Sequence, residues 1–158
     1  MSTTSLPLDN VRLIGVADAT LGMEFPLATP WISCGFPSPA ADHSEDRLDL
    51  VKRLVQHPQA TYFAIAHGNS MDRAGILHGA ILVVDRSLPA RHGAIVLAAL
   101  DGEFTCKRLG LSREGGICLL PDSSDDRFRP IEPRPEQDFL IWGVVSAAVN
   151  EFVRGARV

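Results

Sequence analysis

The sequence predicts a mostly β domain made of small mixed or antiparallel sheets, with one short helix before the strands and an extended arm at the N-terminus. Three observations carry this. Six runs rich in Val, Ile, Leu and aromatic residues follow one another between Thr61 and Val149, separated by Gly, Asp and Pro. Only one stretch, Asp42 to His57, repeats apolar residues at helical spacing. Residues 1–40 carry apolar side chains with no period, punctuated by Pro7, Pro26, Pro30, Pro37 and Pro39. A chain of 158 residues favours one domain, so the expected division is an arm over residues 1–40 and a folded body over residues 41–158.

Taken in order, the arm is expected to be flexible and extended, because proline fixes its own φ and pushes the preceding residue away from helical geometry. In the helix, Asp42 is the expected cap with Glu45 three residues on. Leu48, Val51, Leu54 and Val55 form its apolar face, and Pro58 stops it. The predicted strands are Thr61 to Ala66, Ile81 to Asp85, Ala94 to Leu100, Glu103 to Leu109, Ile117 to Leu120 and Phe139 to Val149. Asp101-Gly102 between two of them is a strong hairpin signal, since a type I′ turn needs positive φ at both central residues. The polar, proline-rich Asp122 to Asp138 reads as a long connection.

Composition removes several functions. Hydrophobic residues make up 46% of the chain and the net charge is −4, so a core is affordable and a phosphate-binding stripe is not. No sequence-specific DNA binding is expected. Cys34, Cys106 and Cys118 are odd in number and lack CxxC spacing, which fits a reducing cytoplasm better than a disulfide framework or a metal site. No cofactor and no metal are expected. Charged residues interrupt every apolar run near the N-terminus, and no stretch of about 18 apolar residues occurs, so neither a signal peptide nor a membrane span is expected.

Two residues suggest chemistry. Ser70 lies in the polar turn Gly68-Asn69-Ser70-Met71, directly after a predicted strand. There its hydroxyl can be presented while neighbouring backbone amides face a developing oxyanion. The plainer alternative is a turn serine bonded to its own backbone. Lys107 lies inside a predicted strand whose alternation puts Thr105, Lys107 and Leu109 on one face and Phe104, Cys106 and Arg108 on the other. If that face is covered, burial favours the neutral amine, a competent base for a serine hydroxyl. Bringing a lysine from ~10.4 to ~7 takes roughly 4–5 kcal/mol, which an apolar pocket supplies and a wet surface does not. The alternative is a lysine snorkelling from an edge strand. His43, His57, His67, His78 and His92 show no catalytic or metal-binding spacing and read as surface or turn residues. A serine–histidine arrangement through the nearby His67 stays open on this evidence. Asp72 and Asp85 read as turn and strand-end residues.

Several blocks, in collinear order, carry a resemblance. They are Phe36-Pro37-Ser38-Pro39-Ala40-Ala41-Asp42, Gln56-His57-Pro58 with Ala60-Thr61-Tyr62-Phe63, Gly68-Asn69-Ser70-Met71, His92-Gly93-Ala94-Ile95-Val96, Asp101-Gly102-Glu103-Phe104-Thr105-Cys106-Lys107-Arg108-Leu109 and Phe139-Leu140-Ile141-Trp142-Gly143-Val144-Val145. Together they closely resemble the UmuD family, the SOS-mutagenesis relatives of the LexA repressor, from about Cys34 to the C-terminus. The resemblance implies a LexA-like fold and a self-cleaving serine peptidase. Ser70 would be the nucleophile, Lys107 the general base, and the backbone amides of Ser70 and Met71 the oxyanion donors. Cys34-Gly35 stands where this family is cut. The family's Gly-Asp-Ser-Met turn is Gly-Asn-Ser-Met here. The implied partners are a second copy in a homodimer, a RecA–single-stranded DNA filament as activator, and a UmuC-type Y-family polymerase for translesion synthesis. Two other readings compete: a non-catalytic dimeric binding module on the same fold, and a trans-acting serine–lysine peptidase of the signal-peptidase kind.

Overall fold

A computed structural model of the chain describes residues 12–16, 24–27 and 46–153. Nine strands form two sheets: β1 Arg12–Val16, β2 Glu24–Leu27, β3 Asp46–Asp49, β4 Thr61–Ile65, β5 Ile81–Asp85, β6 Ile95–Leu100, β7 Glu103–Leu111, β8 Ile117–Leu120 and β9 Phe139–Val149. The larger sheet has the order β1-β4-β5-β9-β6-β7-β8, the smaller one pairs β2 with β3, and every pairing is antiparallel. The mostly β architecture and all six expected strands are present.

The hairpin between β6 and β7 turns at Asp101 and Gly102, with φ of 50° and 82°. These are the positive angles a type I′ turn demands. Asp101 holds the strained conformation by accepting from the Asp138 amide at 3.0 Å and from Gln137 Nε2 at 2.9 Å.

The helix is far shorter than its sequence pattern. Only Leu50–Leu54 is helical (α1), and residues 46–49 form β3, paired with β2 from Glu24↔Asp49 to Leu27↔Asp46. The expected cap, Asp42, and Glu45 lie outside the described residues. Asp49 caps instead: its backbone is extended, and its side chain accepts from the Lys52 amide at 2.9 Å. Strand pairing therefore wins over the helical spacing of Leu48 and Val51, and Val51 ends up exposed. Pro58 opens a short 3-10 helix, Pro58–Ala60, which leads into β4.

In the region expected to be an extended arm, β1 adds to the β4 edge with Arg12 opposite Ile65 and Val16 opposite Tyr62. Cys34 and Gly35 lie outside the described residues.

The last strand in the chain is the middle strand of the sheet. β9 joins β5 on one side and β6 on the other, with a register shift on each side. Such bulges bend a sheet and increase its twist. On one face Ala64, Leu82, Val84, Leu97 and Cys106 form a buried cluster that also takes Met71 and Ile76 from the loop after β4. On the other face Val96, Ala98, Leu109 and Leu119 pack with Ile131 and Phe139.

Candidate active site

Ser70 sits in the loop 66–80, between β4 and β5. The neck of this loop is closed by two backbone bonds, from the Ala66 amide to Ala80 O at 2.9 Å and from the Gly79 amide to Ala66 O at 2.8 Å. Met71 and Ile76, both buried, anchor it onto the sheet beside Cys106 of β7. The apolar side chains that follow the serine thus hold the loop as it crosses the sheet. That crossing is necessary, because four strand spacings separate β4 from β7, roughly 19 Å at ~4.8 Å each. Between the two anchors Asp72–Ala74 makes one 3-10 turn, ended by Gly75 at φ 82°.

Lys107 comes from the middle of β7, which is flanked by β6 and β8. It is an inner strand, so the amine has no edge from which to reach water. Lys107 and Ser70 are each only 4% exposed. The Lys107 Nζ lies 2.7 Å from Ser70 Oγ, 3.1 Å from Thr105 Oγ1 and 3.0 Å from Cys106 O. All three of these partners are uncharged oxygens. The expected juxtaposition of hydroxyl and amine is therefore present, and Lys107 does not snorkel to solvent from an edge strand.

The histidine alternative is not realised among the described residues. The His67 ring packs edge-on against His78, with centroids 4.6 Å apart, while Ser70 Oγ is bonded to Lys107. His78 Nδ1 accepts from the Gly68 amide at 3.1 Å and so steadies the entrance to the serine turn. His57 pairs with Asp85 at 2.6 Å, linking the chain after α1 to the end of β5. No group of three or more His, Cys, Asp or Glu is placed to hold a metal ion among the described residues. Likewise, no described helix is long and apolar enough to cross a membrane.

Sequence reading missed the residues that hold the serine turn. The Asp122 amide donates to Ser70 O at 2.8 Å, and Asp122 O accepts from the Arg73 amide at 3.0 Å. Ser123 Oγ donates to Asn69 O at 2.7 Å, and the Ser124 amide donates to Asp72 Oδ1 at 2.7 Å. The Ser124 hydroxyl donates to the other Asp72 oxygen. These bonds hold the Asp72 carboxyl below the usual carboxylate range, led by the Ser124 hydroxyl. From the opposite side, Asn150 Nδ2 donates to Gly75 O at 2.8 Å and Asn150 Oδ1 accepts from the Leu77 amide at 3.2 Å. Only Thr105 carried a usable signal, since it precedes Lys107 by two residues on the same strand face.

A cavity of about 10 Å³ opens beside Ser70, lined by Ala66, His67, Gly68, Met71, Ile76 and Cys106. A larger groove of about 530 Å³ runs past Gly116, Ile117, Glu132 and Phe139, and neither Ser70 nor Lys107 lines it.

Residues 26–146 match the family described as Peptidase S24-like. The chain belongs to this family. Among curated S24-like relatives, Protein MucA of Escherichia coli is 46% identical over 120 residues, covering 76% of this chain and 80% of that protein. Protein ImpA of Salmonella typhimurium is 42% identical over 125 residues, 79% of this chain and 83% of its own length. A LexA repressor of Xylella fastidiosa is 41% identical over 104 residues, covering 66% of this chain and 48% of the repressor. This S24-like chain is accordingly a UmuD-like, self-cleaving serine peptidase of the SOS response with a LexA-like fold.

Proposed function

We propose that Ser70 is the nucleophile and Lys107 the general base of an acyl transfer that cuts the chain's own arm between Cys34 and Gly35. The observation that carries this reading is the 2.7 Å approach of Lys107 Nζ to Ser70 Oγ with both side chains withdrawn from water. A neutral amine has two N–H donors and one lone pair. Thr105 Oγ1 and Cys106 O take the two donors, which leaves the lone pair aimed at the Ser70 hydroxyl. Burial disfavours the competing ammonium form.

In the reaction, Lys107 takes the Ser70 proton as Oγ bonds to the Cys34 carbonyl carbon. The backbone amides of Ser70 and Met71 stabilise the resulting oxyanion. The Lys107 ammonium returns its proton to the Gly35 nitrogen as the C–N bond breaks, leaving a Ser70 ester of Cys34. Water, activated by the same amine, hydrolyses the ester. The small cavity beside Ser70 supports this assignment. Its volume of about 10 Å³ is close to one water-sized sphere, room for the tip of a side chain no larger than that of cysteine.

Because the arm belongs to the same chain, its local concentration is high and its docking governs the rate. A partner that favours the docked arm accelerates cutting by population shift. We take that partner to be a RecA–single-stranded DNA filament. The trimmed body over residues 41–158, with the few arm residues left from Gly35, then acts in the cytoplasm as a homodimer and accessory subunit of a UmuC-type error-prone polymerase. The chain's kinship with the SOS-mutagenesis proteins supports this extension.

Intact-mass spectrometry of the full chain, incubated at alkaline pH where lysine deprotonates unaided, tests the chemistry. A fragment beginning at Gly35 is expected from the wild type and absent from Ser70→Ala. Its appearance from Ser70→Ala would remove Ser70 as nucleophile.

A further inference from the structure

Lys107 and its neighbour Arg108 point to opposite faces of β7, yet both end at the serine turn. Arg108 places NH2 2.6 Å from Asp122 Oδ2 and donates from NH1 to Gly93 O at 2.9 Å. Asp122 is the residue whose backbone grips the turn at the nucleophile and just after it, through Ser70 O and the Arg73 amide. A closed ring of contacts results: Ser70 Oγ to Lys107 Nζ, one peptide bond to Arg108, the guanidinium to the Asp122 carboxylate, and the Asp122 amide back to Ser70 O.

We propose that Arg108 and Asp122 are positioning residues that lock the serine turn in register with β7, so that the nucleophile and its base are held from one strand. This rests on the serine–lysine reading above. The physical argument is geometric. The loop 121–125 has no strand ladder to fix it against β7. Backbone bonds from Asp122 join it to the serine turn, and the side-chain pairing of Arg108 with Asp122 ties it to the strand that carries the base. Asp122 therefore sets where Ser70 O sits, and with it the direction of the Ser70 side chain. A displacement of about 1 Å at a reacting atom is enough to cost on the order of 100-fold in rate. Arg108 is 37% and Asp122 30% exposed at the side chain, and pairs with that much solvent contribute little to global stability. Rate and stability should separate.

The test uses the full chain and two readouts: self-cleavage by intact mass, and labelling of Ser70 by a small fluorophosphonate, which reads the nucleophile without the arm. Both are followed from neutral to alkaline pH for wild type, Arg108→Gln, Asp122→Asn, the double variant and the conservative Arg108→Lys. The expected result is a fall of roughly tenfold or more in the alkaline plateau of both rates in each single variant. The double variant should be no slower than the worse single one, because the two residues act through one another. Arg108→Lys should recover part of the loss. Thermal midpoints should stay close to wild type, and the pH midpoint should not move. A shifted midpoint with an unchanged plateau would overturn the proposal in favour of a purely electrostatic effect on Lys107. Equal labelling of wild type and variants overturns the brace alone. A wild type whose Ser70 takes no probe at any pH overturns the serine–lysine reading and the brace with it.

Discussion

Replacing Lys107 with Met keeps the length of the side chain and removes the amine. Two consequences of opposite kind follow from the geometry. The base is lost, and general-base contributions of about 10²–10⁴-fold set the expected fall in self-cleavage, with no recovery at alkaline pH. The stability ledger runs the other way. Ser70 Oγ loses its acceptor, and Thr105 Oγ1 and Cys106 O each lose a donor, at 2.7–3.1 Å and about 1 kcal/mol apiece. Against that total of about 3 kcal/mol stands the removal of a 4%-exposed neutral amine, a polar group whose burial costs about 1–3 kcal/mol. The two sides nearly cancel. A change of about 1 kcal/mol moves the midpoint of a chain this size by roughly 2–4 °C, so the Tm of Lys107→Met should stay within a few degrees of wild type or rise. Leu82→Ala, at a fully buried core position, is the contrasting control and should cost about 2–5 kcal/mol. Differential scanning calorimetry and intact-mass kinetics on the same preparations make the comparison. Lys107→Met that cuts within tenfold of the wild-type rate would falsify the assignment of the base. A Tm loss as large as that of Leu82→Ala would show that the lysine serves the core.

Three further outcomes are expected. Given a cavity of about 10 Å³ beside Ser70, Cys34→Ala should be cut at a rate near wild type and Cys34→Leu should not be cut at all; efficient cutting of the leucine variant, read by intact mass, removes that cavity as the seat of the residue before the scissile bond. A methyl at Gly143 would stand 2.7 Å from the Val84 side chain, which is fully buried, so Gly143→Ala should destabilise by about 1–3 kcal/mol in urea titration, and a neutral result would mean that β9 shifts freely. Asp85 is 3% exposed, and although burial alone would raise its pKa, bonds from the Ser87 hydroxyl, His57 and the Ser87 amide hold it below the usual value of 3.8. A carboxyl whose folded pKa is depressed stabilises above its unfolded pKa and loses that contribution as pH falls through its folded value. Asp85→Asn should therefore lower Tm at pH 7 and much less near pH 2, and an equal loss at both would assign the effect to packing.

The body of the fold was legible because its signals are local. Runs of β-branched and aliphatic residues bounded by Gly and Asp mark β4 to β9, and Asp101-Gly102 marks a turn whose angles only a few residue types tolerate. The helix misled for a physical reason. Leu48, Val51, Leu54 and Val55 satisfy a helical period, yet the decisive interaction for residues 46–49 is pairing with β2, which lies well upstream in the chain. Periodicity within one segment carries no information about such a partner. At the site, Ser70 and Lys107 were recognisable by residue type and by resemblance. What surrounds them was not: Asp122, Ser123 and Asn150 act through backbone groups of a distant loop, and nothing in their local sequence announces it.

The order of strands explains why the pair needs the whole sheet. Ser70 leaves from β4 and Lys107 sits on β7, on opposite sides of the central strand. β4 with β5 forms one antiparallel unit and β6 with β7 and β8 forms another, each closed by sequence-local turns. Among the described residues only β9, the last described strand, pairs with both. Without β9, the half bearing the serine and the half bearing the lysine share no strand ladder. β9 joins the halves, and the register shifts on both its flanks are of the kind that bends a sheet and increases its twist. The contact between Ser70 and Lys107 therefore depends on the sheet that β9 completes.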